Sequence, residues 1–412
     1  MIDRLGYRLI RKTRLLAVNT MGRALRETFL APRFSGAGVI FVIHRVIDSD
    51  KVPLAPDLAI SIDALDRGIT TIKSAGFEII TMDQLHQRIQ AKCLDNKIAC
   101  LTLDDGYVDA LTRALPVLHK HRAPACVYMN SGAISHEIEY WWGALEELLT
   151  RRDSVEIPIP AAEFAGNNHH DTLRACIRRR VIKLERHRTA TGPNVQLVNF
   201  RLALDTVKQK TAAYAWLESI CHRYISPNLN FTNVLEDVFK EYRICSRDLM
   251  ERDFLSCEQA RSLAADPLIT IGSHGMTHRR FSQLPLQELE AEMLNSRRIL
   301  QKSLSAPVEH IAYPYGGSGA CGAREFETAN RVGYLTGVTS FAGNLFDTET
   351  MSIHRLPRRS FGWRTRDIHI SLCGAADWVV GRRPDINDHD GSRALSDEED
   401  SRRGLLGTSG EW

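Results

Sequence analysis

The stretch Ile98-Ala99-Cys100-Leu101-Thr102-Leu103-Asp104-Asp105-Gly106-Tyr107 is an apolar run that ends on two adjacent carboxylates and a glycine. An apolar run of about six residues is typical of a strand buried on both faces, as in a parallel sheet covered by helices. Asp104 and Asp105 would then lie at the carboxyl end of the strand, where α/β folds place their functional sites. The alternative is a structural turn or a helix N-cap, because aspartates before a glycine also suit those positions.

The segments around this stretch alternate between strand and helix patterns. We predict strands and helices in turn, with Ser61 as the N-cap of the first helix and Gly76 at its end. The predicted strands lie at residues 38–44, 77–80, 98–103 and 125–129, and the predicted helices at 62–75, 82–90 and 107–121. This order favours parallel strands with right-handed crossovers, and hence either a barrel or a doubly wound sheet.

The alternation stops between residues 135 and 265. This segment is too long for a loop and has few strand signals, so we interpret it as a helical insertion within the α/β body. Its basic run, residues 173–188, is either a solvated helix face or a surface that contacts an acidic polymer. The α/β body, which begins at residue 38 and is interrupted after residue 134, resumes over residues 266–381. There we predict a strand from residue 268, an amphipathic helix at 285–303, and strands at 310–314, 334–340 and 355–361.

The strand that begins at residue 268 runs into Ser273-His274-Gly275-Met276-Thr277-His278. The two histidines are four residues apart, which puts both imidazoles on one side of a helical turn and lets them share an ion. A pair of this kind is often structural, but here it follows a strand in a chain whose other long strand ends in Asp-Asp. An aspartate with two histidines forms a three-ligand set that leaves positions open for water and substrate, as catalytic metal sites do. The second aspartate is then available as a base.

The composition excludes several classes of protein. The 412 residues are 43% hydrophobic and 25% charged, which is ordinary for a soluble globular protein. The net charge of +3 is too small to indicate a nucleic-acid partner. The nine cysteines form no CxxC pair and several lie inside apolar runs, which indicates reduced thiols and a cytoplasmic chain.

The two ends of the chain differ from the α/β body. In residues 1–37, arginine and lysine interrupt every apolar stretch, so we expect neither a secretory signal nor a spanning helix there. The segment fits an amphipathic helix that either packs on the body or makes peripheral contact with the inner face of the membrane. Residues 382–412 are polar and lack apolar periodicity, and we expect them to form a disordered tail.

Three motifs occur in a fixed order: Thr102-Leu103-Asp104-Asp105-Gly106, Ser273-His274-Gly275-Met276-Thr277-His278 and Tyr313-Pro314-Tyr315-Gly316. Together they resemble the polysaccharide deacetylase family, the NodB-homology enzymes of carbohydrate esterase family 4. The resemblance covers residues 39–361 outside the insertion. It implies a distorted (β/α) barrel of about seven parallel strands. It also implies a divalent metal, usually zinc with cobalt or nickel as alternatives, and the removal of N-acetyl or sometimes O-acetyl groups from sugars.

The resemblance further implies roles for individual residues. Asp104 matches the catalytic base of the family, and Asp105, His274 and His278 match its metal ligands. Tyr315 matches the residue whose backbone N–H helps to hold the oxyanion.

The sequence departs from the family pattern around the base and at the general acid. The third motif usually begins with an arginine that orients the base, but the matching residue here is Ala312. The sequence offers three replacements from another strand, namely Arg355, Arg358 and Arg359.

The general acid has two candidates. The last motif of the family offers a histidine, which His354 matches poorly, and His44 at the end of the first strand is a competitor. Either histidine could instead be a hydrogen-bonded residue at a strand end.

We therefore expect a metal-dependent hydrolase that cleaves an amide other than a peptide bond. It would remove acetyl groups, above all the N-acetyl of a hexosamine, from a polysaccharide, an oligosaccharide or a lipid-linked glycan precursor. The alternative function is a catalytically inactive glycan-binding or polysaccharide-assembly protein on the same fold, which Ala312 and the uncertain acid suggest.

Overall fold

The computed structural model of the chain describes residues 35–94, 97–135, 137–164, 186–187, 197–226, 229–346 and 352–374. The predicted tail lies outside these residues, as do nearly all of the predicted N-terminal helical segment and of the basic run in the insertion. In this part of the chain, no helix combines the length and the apolar character needed to cross a membrane.

The strands are numbered in chain order. They are β1 Gly38–Ile43, β2 Arg45–Ile47, β3 Ala59–Ser61, β4 Glu78–Ile79, β5 Ile98–Leu103, β6 Ala125–Met129, β7 Ser154–Pro160, β8 Arg186–His187, β9 Leu197–Ala203, β10 Ile225–Ser226, β11 Leu229–Asn230, β12 Ile269–Ser273, β13 His310–Ala312, β14 Thr336–Ala342 and β15 Leu356–Ser360.

The helices are numbered in the same way. They are α1 Ile62–Ser74, α2 Met82–Gln90, α3 Leu115–His121, α4 Ser131–Ile134, α5 Trp141–Arg151, α6 Val207–Arg223, α7 Phe231–Glu241, α8 Ser246–Asp253, α9 Cys257–Ala264, α10 Leu286–Leu304, α11 Ala323–Val332 and α12 Thr365–Cys373. A π-helical turn, Ala110–Ala114, leads into α3, and short 3₁₀ helices occur at Ala161–Phe164 and Phe281–Gln283.

Seven parallel strands form a closed barrel surrounded by helices. Their order is β1, β15, β14, β13, β12, β6 and β5, and β5 pairs again with β1 along its whole length. The short strand β4 adds to the amino-terminal end of β5. Every residue of β5 is buried, which explains why this strand is a continuous apolar run rather than an alternating one. The predicted (β/α) barrel is confirmed.

The parallel direction of these strands brings their carboxyl ends to one end of the barrel. The segments that follow β1, β5, β12 and β13 therefore meet there. These segments contain His44, Asp104, His274 and Tyr315 respectively.

The chain divides into two compact units. The first contains the residues up to Ile47, Ile60–Ile134 and the residues from Cys257 onwards, and the second contains Asp48–Ala59 and Ser135–Ser256. The first unit holds the barrel. The second has a hydrophobic core of its own, built from helices α5, α6 and α7 and from strands β7 and β9.

The sequence of residues 135–265 favours a helical insertion, but the second unit is not made of helices alone. It also contains a three-stranded antiparallel sheet in the order β7, β9, β8. In β7 the residues Val155, Ile157 and Ile159 are buried in alternation with more exposed neighbours, which is the two-residue period of a strand. Pro158 and Pro160 obscure this signal, but β7 is an edge strand, where a residue without an N–H is tolerated.

Candidate active site

Asp105, His274 and His278 bring three metal-ligand atoms together at the carboxyl end of the barrel. Asp105 Oδ1 lies 3.4 Å from His274 Nε2 and 3.3 Å from His278 Nε2, and the three ligand atoms lie within 4.8 Å of one another. Asp105 Oδ1 is buried and has no hydrogen-bond partner. Ligand atoms about 2.0–2.1 Å from a tetrahedral zinc are roughly 3.4 Å apart. The donor set and its spacing therefore fit a shared divalent ion.

A backbone carbonyl fixes the His274 ring. His274 Nδ1 lies 2.8 Å from the carbonyl oxygen of Ala312, so Nδ1 carries the proton and Nε2 keeps its lone pair for an ion. The backbone N–H of His274 donates to the Met129 carbonyl over 2.8 Å, which ties this ligand to the end of β6. The Ala312 position thus contributes to the site through its carbonyl group, although it lacks the arginine side chain of the family pattern.

Three site residues other than glycine have a positive φ, namely Asp105 at 71°, His278 at 55° and Tyr315 at 63°. This left-handed conformation costs on the order of 1 kcal/mol for a residue with a Cβ. Other such residues, for example Arg122 and Ser305, follow helix ends, where a left-handed residue is common. The three site residues do not cap helices, and backbone strain of this kind concentrates at functional sites.

Asp104 forms a buried, two-armed ion pair with Arg358 of β15. Arg358 Nη1 and Nη2 each donate over 2.8 Å to one carboxylate oxygen of Asp104, and the side chains are 1% and 2% exposed. Arg358 Nε also donates to the Thr339 carbonyl over 2.9 Å, which fixes the guanidinium plane. Burial by itself raises the pKa of Asp104, but the charge and hydrogen bonds of Arg358, together with the nearby His274 and His44, outweigh burial and hold that pKa below its ordinary value. Asp104 is therefore an ionised, oriented carboxylate.

A family model described as polysaccharide deacetylase matches residues 91–157 and 231–335. These two segments are therefore similar to a polysaccharide deacetylase domain. The matched residues include the aspartate pair, His274 and His278, but neither His44 nor Arg358.

Solved structures of deacetylases are similar to this chain at low sequence identity. Streptococcus pyogenes deacetylase PplD in complex with acetate is 15% identical, with a TM-score of 0.41 over 78% of this chain and 92% of that chain. IcaB from Ammonifex degensii is 14% identical, with a TM-score of 0.45 over 82% and 98%. The BpsB deacetylase domain from Bordetella bronchiseptica is 14% identical, with a TM-score of 0.40 over 78% and 94%. No curated protein matches the sequence.

In the barrel, Tyr315 lies in the segment that follows β13. Its ring meets that of His278 edge to face, with centroids 4.8 Å apart, and Arg280 lies 4.9 Å from the centroid of the Tyr315 ring. The next residue, Gly316, accepts a hydrogen bond from the Ser340 N–H over 2.9 Å. A Cβ at Gly316 would lie 2.6 Å from that same nitrogen, so the contact requires glycine. The structure thus places the Tyr315 side chain beside His278.

His44 lies at the carboxyl end of the barrel as well. It directly follows β1, whose last residue Ile43 pairs with Leu103, the residue before Asp104. Burial raises the pKa of the carboxyl groups of Asp104 and Asp105, and His44 is among the neighbours that lower it. The structure therefore brings His44 to the two carboxylates.

His354 lies away from the site. It precedes β15, and its Nε2 lies 2.7 Å from the carbonyl oxygen of Tyr334, which precedes β14. Both residues are therefore at the amino ends of parallel strands, whereas Asp104 is at the carboxyl end of its strand. The prediction that His354 acts as a general acid is wrong for this reason, and the structure favours the strand-end hydrogen-bonding role that was its alternative.

The sequence did not single out Arg358 from its two neighbours. Arg355 lies 5.3 Å from the ring centroid of Phe341, and Arg359 donates to the side-chain oxygen of Asn344. One signal was available in the sequence. Arg358 lies two residues after the apolar Leu356 in a predicted strand, so both side chains point to the same, buried face.

Proposed function

We propose that this protein is a metal-dependent hydrolase that removes acetyl groups from an N-acetylated glycan. The substrate class is a polysaccharide, an oligosaccharide or a lipid-linked glycan precursor, and the bond is the amide of an N-acetylhexosamine. The observation that carries the proposal is the cluster of Asp105, His274 and His278 beside the buried pair of Asp104 and Arg358.

The proposed metal is zinc, with cobalt or nickel as alternatives. Two imidazole nitrogens and one carboxylate oxygen form a donor set that suits all three ions. When bound, the ion would polarise the acetyl carbonyl and lower the pKa of water from about 15.7 towards about 7.

Asp104 is the proposed general base. Its carboxylate is ionised and held in one orientation by Arg358, so it can accept a proton from the attacking water. The water oxygen then adds to the acetyl carbon. The Tyr315 backbone N–H is the proposed donor to the oxyanion, a contribution of roughly 3 kcal/mol where such a donor is well placed.

His44 is the proposed general acid. Breaking the C–N bond requires a proton on the leaving amine, and His44 lies at the same end of the barrel as Asp104. Acetate and a free amino sugar are the products.

The alternative of an inactive glycan-binding protein rested on Ala312 and on the uncertain acid. Arg358 supports the enzymatic function instead, since it supplies the missing guanidinium to the base from a different strand.

The deciding experiment is a screen for acetate release from defined N-acetylhexosamine oligomers and O-acetylated glycans. The protein is loaded in turn with zinc, cobalt or nickel, and Asp104→Asn is the matched inactive control. We expect metal-dependent release by the unmodified protein only. Metal-loaded protein that releases no acetate from any member of the panel would contradict the proposal.

A further inference from the structure

Helix α10 buries a carboxylate on its apolar face. Glu292 is 4% exposed, and its neighbours Leu289, Met293 and Leu300 on this helix are buried as well. Burial of a carboxylate is unfavourable unless hydrogen bonds compensate for its lost hydration. The partners of Glu292 therefore indicate why it is there.

All the hydrogen bonds to Glu292 Oε1 come from the loop between the two histidine ligands. The donors are the backbone N–H of Met276 over 3.1 Å, and the backbone N–H and side-chain hydroxyl of Thr277 over 2.6 and 2.7 Å. This loop begins at His274 and ends at His278. One carboxylate oxygen thus holds the centre of the segment that joins both ligands.

A second residue of α10 binds the same loop. Ser296, one turn after Glu292, donates to the Gly275 carbonyl over 2.9 Å and lies 2.8 Å from the Ser273 hydroxyl. The loop needs such support, since both Gly275 and His278 have left-handed backbone conformations, with φ of 78° and 55°. Without anchors, the loop would lose order in the metal-free protein.

We propose that Glu292 is a positioning residue that sets the metal affinity of the site by holding His274 and His278 in their binding geometry. The inference rests on the proposed function, because it requires that these residues bind a metal. The charge on Glu292 strengthens its three hydrogen bonds. Loss of a group that orients metal ligands typically weakens metal binding by about 10-fold to 100-fold.

The test measures zinc affinity rather than activity. Glu292→Gln keeps the size of the side chain and one acceptor oxygen but removes the charge. Its matched control is Glu325→Gln, because Glu325 is 3% exposed and accepts the Gly322 N–H over 2.7 Å, outside the ligand loop. Zinc dissociation constants are measured by competition with a chromophoric chelator. We expect an increase of about 10-fold to 100-fold for Glu292→Gln and less than about threefold for Glu325→Gln, which leaves the ligand loop intact.

Two results would overturn the inference. Unmodified protein that binds zinc while Glu292→Gln binds it equally well would contradict the role of Glu292 alone. Unmodified protein that binds no zinc would contradict the proposed metal site as well.

A second variant decides the matter if Glu292→Gln does not fold. Ser296→Ala removes one hydrogen bond to the loop, and we expect zinc binding to weaken about fivefold, the equivalent of roughly 1 kcal/mol. Its control is Thr328→Ala, which loses a buried hydroxyl bonded to the Arg324 carbonyl. Equal zinc affinity in these two variants would contradict the inference.

Discussion

Asp104 and Asp105 are adjacent in the chain, but their side chains have different partners. Asp104 faces the guanidinium of Arg358, and Asp105 faces the imidazoles of His274 and His278. The positive φ of Asp105 turns the backbone between the two residues. One carboxylate is therefore available as a base and the other as a metal ligand.

This division predicts different losses for two substitutions. Asp104→Asn should abolish acetate release and retain zinc, because the amide cannot accept the proton but leaves the ligand set intact. His274→Ala should lose both activity and zinc. Acetate assays and metal analysis of the purified variants measure the two outcomes. Wild-type activity in Asp104→Asn would show that the base is a different residue.

Arg358 should be as important for activity as the residues of the motifs. Arg358→Met would leave the carboxylate of Asp104 buried without its partner, which should destabilise the protein by about 3–5 kcal/mol. Because Arg358 lowers the pKa of Asp104, its removal should raise that pKa. Asp104 acts as a base only when ionised, so the acid limb of the rate profile should move to higher pH.

The neighbouring arginine provides the control for this prediction. Arg359 is also largely buried, at 9% exposure, but donates to Asn344. Arg359→Met should lower stability in urea denaturation and leave the acid limb of the activity profile in place. An unshifted acid limb in Arg358→Met would mean that Asp104 does not limit the rate at low pH.

At the level of structural elements, Asp109 links the loop after β5 to the segment after β1. Its Oδ2 lies 3.4 Å from Arg45 Nε, and the backbone of Val46 also donates a hydrogen bond to it. These two residues directly follow His44. Burial raises the pKa of Asp109 to about 6, although both partners favour its charged form.

This raised pKa predicts how stability depends on pH. An unfolded aspartate has a pKa of about 3.9, so between about pH 4 and pH 6 the folded state binds more protons at Asp109 than the unfolded state. The contribution of this group to stability is present at low pH and is lost as the pH rises through about 6. The loss between about pH 4.5 and pH 7.5 is roughly 2 kcal/mol.

Asp109→Asn should remove this dependence. Urea denaturation gives the free energy of unfolding of the unmodified protein and of the variant at about pH 4.5 and about pH 7.5. The difference between the two proteins is then compared at the two pH values, because the contributions of all other titrating groups cancel in it. We expect the variant to gain about 2 kcal/mol relative to the unmodified protein at the higher pH. A stability difference that is the same at both pH values would contradict the assigned pKa.

The elements that the sequence predicted well are those with local signals. The continuous apolar run of β5 and the polar residues at its end pointed to Asp104 and Asp105, and the spacing of His274 and His278 pointed to the other two members of the cluster. Arg358 is different, because it reaches Asp104 only when the barrel closes and β1 pairs with β15 on one side and with β5 on the other. No local sequence pattern shows which strands become neighbours when the barrel closes.

His354 was misassigned for a related reason. It matched a motif by its position along the chain, yet it precedes a strand rather than following one. In a parallel barrel, the two ends of a strand lie at opposite ends of the barrel. His44, in contrast, follows β1, and the pairing of β1 with β5 brings it to the same end of the barrel as Asp104.

At the scale of the whole molecule, the proposed site belongs to one of the two units. The base, its arginine and the three ligand residues all come from segments of the first unit. The second unit has a separate core, which includes Leu217, Phe231 and Leu235 as fully buried residues. Because the two cores are separate, a mutation or a bound metal can change the stability of one unit without changing that of the other.

Zinc should therefore stabilise the unit that holds its ligands. Leu217→Ala, in the core of the second unit, and Leu300→Ala, on α10 in the first, each remove a fully buried side chain, at a cost of about 2–5 kcal/mol. A ligand at 100 times its dissociation constant stabilises the folded state by about 2.7 kcal/mol. In scanning calorimetry, Leu300→Ala should lower the midpoint temperature of one unfolding transition, and we expect zinc to raise the midpoint temperature of that same transition. We also expect Leu217→Ala to leave the zinc dissociation constant unchanged. A rise only in the transition that Leu217→Ala lowers would place the metal in the second unit and contradict the ligand set of Asp105, His274 and His278.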